Sequence, residues 1–89
     1  MSMTARIERK LTDRFDPSRL AVADDSHKHA GHSGWREGGE THFRVEIVSD
    51  QFAGLTRVAR QRLVYDALQE ELAERVHALQ LKTLTPDED

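Results

Sequence analysis

The chain has 89 residues, enough for one small domain but too few to enclose a deep cleft between two lobes. Charged residues make up 33% and hydrophobic residues 37%, and no apolar run approaches the roughly 20 residues that cross a bilayer. The absence of cysteine excludes disulfides and thiolate ligands from this chain, and the net charge of −3 disfavours a dedicated nucleic-acid binder. Because the N-terminus has no apolar signal segment, we expect a cytoplasmic protein that does not associate with membranes.

The first half of the chain predicts a helix, a short strand and a loop rich in histidine. Apolar residues that recur every four positions predict a helix over residues 4–15, with Thr4 as its N-cap. A short strand is predicted over residues 20–24, followed by a glycine-containing loop over residues 25–39. The side chains of interest in this loop are His27, His29, His32 and Trp35.

The second half contains the clearest strand in the chain. Apolar and polar residues alternate over residues 40–50, which is the pattern of a strand buried on one face. Thr56 is expected to cap a long helix over residues 57–75, and a last strand is predicted over residues 76–83. The acidic tail, about residues 84–89, is expected to be frayed.

This order of elements predicts an α+β fold in one domain that covers residues 1–89. The first two strands can pair antiparallel across the histidine loop, whereas a helical connection before the last strand suits a parallel neighbour. We therefore expect a three-stranded mixed sheet with helices packed on one face, and a short extra helical turn can precede the long helix.

The long helix is basic at its start and acidic towards its end, the opposite of what the helix dipole favours. Its early cations are Arg57, Arg60 and Arg62. Two interpretations stay open: these arginines serve a ligand or partner, or they form an ordinary solvated face. Trp35 likewise fits either a contact residue or a side chain packed on the base of its loop.

The histidines have different predicted environments. His27 and His29 could chelate a metal within the loop, but a lone zinc or copper site there lacks a third fixed ligand. His42 is predicted to face solvent on its strand, with a structural role. His77 falls where the long helix ends, and an imidazole there can interact with free helix carbonyls.

Five groups of residues then follow one another along the chain in a characteristic order and spacing. They are DSHKHAGH at residues 25–32, ETHF at 40–43, VS at 48–49 with Phe52 and Gly54, RxRxVY at 60–65, and VHAL at 76–79. Together they resemble the BolA family from the first helix to Pro86. The resemblance implies a fold similar to a class II KH domain. No GxxG backbone clamp is found between helices, which argues against RNA binding of the KH type.

The resemblance implies a non-enzymatic protein that forms a heterodimer with a monothiol glutaredoxin and shares a [2Fe–2S] cluster with it. The partner would supply a cysteine and glutathione a second thiolate. The resemblance assigns His77 and His29 as ligands from this chain, with His27 and His32 close enough for the alignment to shift to them. It implies a role in iron–sulfur cluster trafficking or assembly, or in iron sensing. The free chain is expected to be a monomer or a weak homodimer.

One position departs from the family pattern, because Gln61 stands where relatives often carry histidine. Any role of that imidazole therefore does not carry over. The alternative function is DNA-binding transcriptional regulation, which the KH-like shape and the three early arginines would support and the acidic net charge opposes. The candidate contacts for a partner or for nucleic acid are Arg57, Arg60, Arg62 and Trp35. No nucleophile–base pair, paired carboxylates or phosphate loop indicates catalysis.

Overall fold

The computed structural model describes residues 1–25 and 41–89. The elements are helix α1 (Met3–Phe15), strand β1 (Arg19–Asp24), strand β2 (His42–Val48), helix α2 (Arg57–Ala67), helix α3 (Gln69–Glu74) and strand β3 (Ala78–Leu84). Short 3-10 turns occur at Asp50–Phe52 and Pro86–Glu88. None of the helices in these two described ranges is long and apolar enough to span a membrane.

The three strands form one sheet in the order β1–β2–β3, and this confirms the predicted mixed sheet. β1 pairs antiparallel with β2, so that Leu20 lies opposite Ile47. β3 pairs parallel with β2, with His42 opposite Ala78. The predicted topology is therefore correct, although the strand ends differ from the expected ones by one or two residues.

The core lies between the sheet and the helices. Phe43, Val45 and Ile47 of β2 are at most 2% exposed, as the alternating pattern predicted. They pack in one cluster with the apolar face of α1, where Ile7 and Leu11 have no exposed surface. The side chain that caps α1 is Ser2, whose Oγ accepts the N–H of Ala5, and the prediction of Thr4 as the cap is wrong.

The predicted long helix over residues 57–75 is interrupted at Leu68, and this expectation is corrected. Thr56 caps α2 as predicted, because its hydroxyl accepts the N–H of Ala59 at 3.1 Å. Leu68 leaves helical geometry with φ −106° and ψ 20°, while its side chain is buried in the core. Neither glycine nor proline marks this position, so the sequence contains no local signal for the break.

The acidic tail also differs from the expectation that it frays. Its 3-10 turn has a capping box between Thr85 and Glu88. The Glu88 Oε1 atom lies 2.6 Å from Nη1 of Arg60, and the Asp89 Oδ1 atom lies 2.6 Å from Nη2 of Arg19. Two ion pairs therefore hold this segment against the body of the domain, a tertiary interaction that composition alone could not show.

Candidate ligand site at one end of the sheet

One end of the sheet carries His77, the predicted site residue that the structure describes there. β2 begins at His42 and β3 at Ala78, in parallel register, so the residue before β3, His77, lies at this end as well. Asp25 follows β1 there, and its N–H donates to the carbonyl of His42 at 2.8 Å. Asp25 and Thr41, which flank residues 26–40, therefore both lie at this end of the sheet. The predicted site residues His27, His29, His32 and Trp35 belong to that segment and lie outside the described residues.

The main chain of His77 is fixed while its imidazole is exposed. The N–H of His77 donates to the carbonyl of Thr41 at 2.7 Å, and the N–H of Ala78 reaches the same oxygen at 3.2 Å. The preceding residue, Val76, is only 5% exposed and anchors this short connection in the core. His77 can therefore offer a ring nitrogen to an incoming group without any rearrangement of the backbone.

His42 lies beside His77, which the sequence interpretation missed. The two ring centroids are 6.4 Å apart with the planes inclined by 26°. The Nδ1 atom of His42 is 2.9 Å from the hydroxyl of Thr41, which is fully buried. The signal that could have revealed this neighbour is the parallel pairing of β2 and β3, because it brings the starts of both strands to the same end.

The three arginines at the start of α2 have different environments. The guanidinium of Arg60 is 12% exposed and donates to the carbonyls of Leu55 and Thr83, each at 3.1 Å, as well as to Glu88. Arg57 and Arg62 are exposed. Of the three predicted contact residues, Arg60 therefore already uses its guanidinium in hydrogen bonds within its own chain.

The electrostatic consequence of that arrangement appears at Glu88. Hydrogen bonds from Arg60 and from the N–H of Thr85 lower the pKa of Glu88 to about 2. This ion pair lies at the other end of the sheet from His77, because Thr83 is the penultimate residue of β3 and the tail follows that strand. The basic residue and the candidate ligand therefore belong to separate parts of the surface.

Comparison with known proteins identifies the family of this chain. The family model described as BolA-like protein matches residues 11–88. This chain belongs to the BolA-like family. Its structure is similar to that of the BolA domain of SufE1 from Arabidopsis thaliana, with a TM-score of 0.90 and 47% sequence identity, covering 100% of this chain and 98% of that one.

Two BolA-like relatives illustrate the range of proteins that contain this domain. SufE-like protein 1 of Arabidopsis thaliana is 48% identical over 87 residues, which cover 93% of this chain and only 24% of that protein. The DNA-binding transcriptional regulator BolA of Escherichia coli K12 is 44% identical over 85 residues, covering 96% of this chain and 77% of that protein. Relatives therefore include both a long protein with a BolA domain and a protein of similar size to this chain.

The BolA-like domain does not build a complete metal site from the residues described. Within residues 1–25 and 41–89, no three His, Cys, Asp or Glu side chains lie close enough together to hold a metal ion. Any metal held at the His77 end would need further ligands from residues 26–40 or from a second molecule.

Proposed function

We propose that this BolA-like chain pairs with a monothiol glutaredoxin and shares a [2Fe–2S] cluster with it through histidine ligands. It would act as a non-enzymatic partner in iron–sulfur cluster trafficking or assembly, or in iron sensing. The observation that supports this proposal is the exposed imidazole of His77 on a fixed backbone. It lies at the end of the sheet where the segment with three further histidines begins and ends.

The donor set of the chain fits such a cluster. Imidazole can replace thiolate on one iron of a [2Fe–2S] centre, as the Rieske type demonstrates. We propose His77 as the first ligand and His29 as the second, with His27 and His32 as the alternatives within the same segment. Because this chain has no cysteine, the thiolates would come from the glutaredoxin and from glutathione. When bound, the cluster would supply one-electron chemistry at a potential that imidazole ligation raises.

The remaining residues at this end would orient the ligand. The Thr41 carbonyl accepts the N–H groups of both His77 and Ala78, so it holds the strand start that carries the imidazole. Thr41 is also the point where the histidine-bearing segment rejoins the sheet. These main-chain hydrogen bonds would fix the backbone position from which the imidazole of His77 projects.

The test is spectroscopic. The purified protein is mixed with a monothiol glutaredoxin that carries its glutathione-ligated cluster, and visible absorption and circular dichroism are recorded. We expect a new spectrum that His77→Ala abolishes, because the protein's first ligand is lost. We expect His29→Ala to alter or abolish it as well.

The matched control is His42→Ala, which removes an imidazole 6.4 Å from that of His77 and is not proposed as a ligand. It should keep the new spectrum. If the mixture gives only the spectrum of the glutaredoxin, or if His77→Ala leaves the new spectrum unchanged, the shared-cluster function is wrong for this chain.

A second candidate function is DNA-binding transcriptional regulation, which the name of the Escherichia coli relative suggests. Arg57 and Arg62 are exposed on α2 and could contact phosphates. Titration of duplex DNA at several salt concentrations tests this, because each phosphate contact adds about one unit to the slope of log affinity against log salt. Arg57→Ala and Arg62→Ala should each reduce that slope, and no binding at low salt would exclude the function.

A further inference from the structure

The outer face of α2 exposes apolar side chains. Val58 is 55% and Tyr65 39% exposed, and in the two described ranges the only other exposed large hydrophobic residue is Met1. Val58 and Tyr65 are seven positions apart, so they lie on the same face of the helix, and Arg62 lies between them on that face. This α2 stripe comprises Val58, Arg62 and Tyr65, with Arg57 at its start.

The cations of the stripe have no ion-pair partner in the part of the chain that the structure describes. Elsewhere, most of the other described cations lie within 4.0 Å of a carboxylate, among them Arg6, Arg9, Lys10, Arg19, Arg60 and Lys82, whereas Arg14 donates to the side-chain oxygen of Gln51. Arg57 and Arg62 take part in none of the ion pairs found there. The chain has 16 acidic residues for its 13 lysines and arginines, so a shortage of carboxylates is not the reason.

The position of these residues also works against the stability of the isolated helix. The first turn of α2 contains no acidic residue and begins with Arg57, where the positive end of the helix dipole disfavours a cation. Exposed apolar side chains contribute little to the free energy of folding of the free chain. A site that departs from the rules of local stability in this way is typical of a functional surface.

We propose that the α2 stripe docks a protein partner whose surface places carboxylates around an apolar contact. This inference rests on the proposed function, under which the partner is the monothiol glutaredoxin. Tyrosine and arginine are among the residues enriched at the centres of protein interfaces. Nucleic acid fits less well, because the stripe has only two unpaired cations and Asp66 and Glu70 follow closely along the chain.

The stripe is well placed relative to the candidate ligand. The hydroxyl of Tyr65 donates to the carbonyl of Leu79 at 3.4 Å. Leu79 is two residues beyond His77, which corresponds to about 7 Å along a strand. A partner docked on the stripe would therefore lie beside His77, as a shared cluster requires.

The experiment uses the full chain and a glutaredoxin that carries glutathione but no cluster, so that docking is measured apart from ligation. Amide spectra of the labelled chain locate the bound surface, and calorimetry gives the dissociation constant at low and at high salt. We expect shifts concentrated on residues 57–66. Arg62→Glu and Val58→Ser should each raise the dissociation constant about tenfold or more, which corresponds to the loss of a central interface contact.

The matched control is Arg9→Glu, which reverses the charge of an arginine on α1 whose side chain is 70% exposed. It should change the dissociation constant by less than about twofold, since rim charges far from the contact have small effects on affinity. Thermal unfolding of each variant confirms that the fold is intact. His77→Ala should keep the affinity of the cluster-free partner while it loses the cluster spectrum.

The outcomes separate the two proposals. If a cluster is shared but Arg62→Glu binds like the wild type, or the shifts lie away from residues 57–66, the docking inference is wrong and the proposed function stands. If the stripe docks the partner and no cluster spectrum forms, the proposed function is wrong and the docking surface stands. Binding of DNA alone through Arg62, or self-association of the chain through the stripe without partner binding, would also overturn the inference.

Discussion

Glu71 of α3 is a carboxylate with no exposed surface that lies between two cations of α1. Its oxygens are 2.9 Å from Nη2 of Arg6 and 2.9 Å from Nζ of Lys10. Burial by itself raises the pKa of Glu71, and the hydrogen bonds from Lys10 and Arg6 outweigh that effect, so the pKa lies below its ordinary value of 4.5. This one residue joins the first helix to the helical segment after the break at Leu68.

Glu71→Gln should therefore reduce stability at neutral pH. It replaces charge-assisted hydrogen bonds with weaker ones in a buried place, at a cost of about 2 kcal/mol in the free energy of unfolding. Because the pKa is lowered in the folded state, the contribution of Glu71 is fully present above the ordinary carboxyl value of 4.5 and is lost as the pH falls through the folded-state pKa. Urea denaturation at neutral and at acidic pH measures both effects.

Glu70→Gln is the matched control, because the Glu70 side chain is 80% exposed and lies 3.7 Å from the same lysine. It should change stability by less than about 0.5 kcal/mol. Equal losses for the two variants, or a loss for Glu71→Gln that persists unchanged in acid, would contradict this account of the buried carboxylate.

At the residue scale, the sequence predicts the secondary-structure element of a residue better than the burial of its side chain. The acidic second half of the predicted long helix gives no indication that Glu71 is buried while its neighbour Glu70 is exposed, because the break at Leu68 decides which side faces α1. His77 was placed correctly between a helix and a strand. Its proximity to His42 depends on strand register, which local patterns do not encode.

At the scale of elements, the Ser49 side chain connects the end of α1 to the turn after β2. Its hydroxyl is 1% exposed and donates to the carbonyl of Phe15, the last residue of α1, at 2.7 Å. The same oxygen accepts the N–H of Gln51 at 3.1 Å and so caps the 3-10 turn. The last carbonyls of a helix have no partner within the helix, so this hydroxyl satisfies one that would otherwise be buried and unpaired.

Ser49→Ala should lower the free energy of unfolding by about 2 kcal/mol, since it leaves a buried carbonyl without a donor. Ser18→Ala is the matched control, because the Ser18 hydroxyl is 3.5 Å from the carbonyl of Val48, a long and weak contact. It should cost less than about 0.5 kcal/mol. Chemical denaturation of both variants measures the difference, and similar values for the two would exclude the proposed role of Ser49.

The elements themselves were predictable where one pattern dominates. Alternation in β2 and the four-residue spacing of α1 reflect burial on one face, and both elements lie where they were expected. The division of the second helical region was not predictable, because tertiary packing of Leu68 and Glu71 determines it.

At the scale of the whole molecule, the two ends of the sheet carry different structural features. One end carries the candidate ligand, whereas at the other the tail is held to β1 and α2 by Arg19 and Arg60. Hydrogen bonds lower the pKa of Glu88 to about 2, and the bond from Arg60 has a larger effect than the bond from the N–H of Thr85. Because folding lowers this pKa, the contribution of Glu88 to stability is present above the ordinary carboxyl value of 4.5 and is lost as the pH falls towards about 2.

Arg60→Gln should raise the pKa of Glu88 towards its ordinary value of 4.5, because the strongest hydrogen bond to the carboxylate is removed. The carboxyl carbon shift of Glu88, followed by NMR during an acid titration, measures this pKa directly. Arg19→Gln is the control, because Arg19 lowers the pKa of Asp89 instead. It should leave the titration of Glu88 unchanged, and a midpoint for Glu88 near 4.5 in the wild type would refute the ion pair with Arg60.

The parallel pairing of β2 with β3 has a consequence for synthesis on the ribosome. A growing chain contains His42 and the segment with three histidines well before it contains Ala78–Leu84. Until β3 joins β2, the Thr41 carbonyl has no N–H from His77 to accept, and the rings of His42 and His77 are not held 6.4 Å apart. Long-range pairing of this kind forms late in folding. This arrangement at the His77 end of the sheet therefore forms only in chains whose translation has passed Leu84.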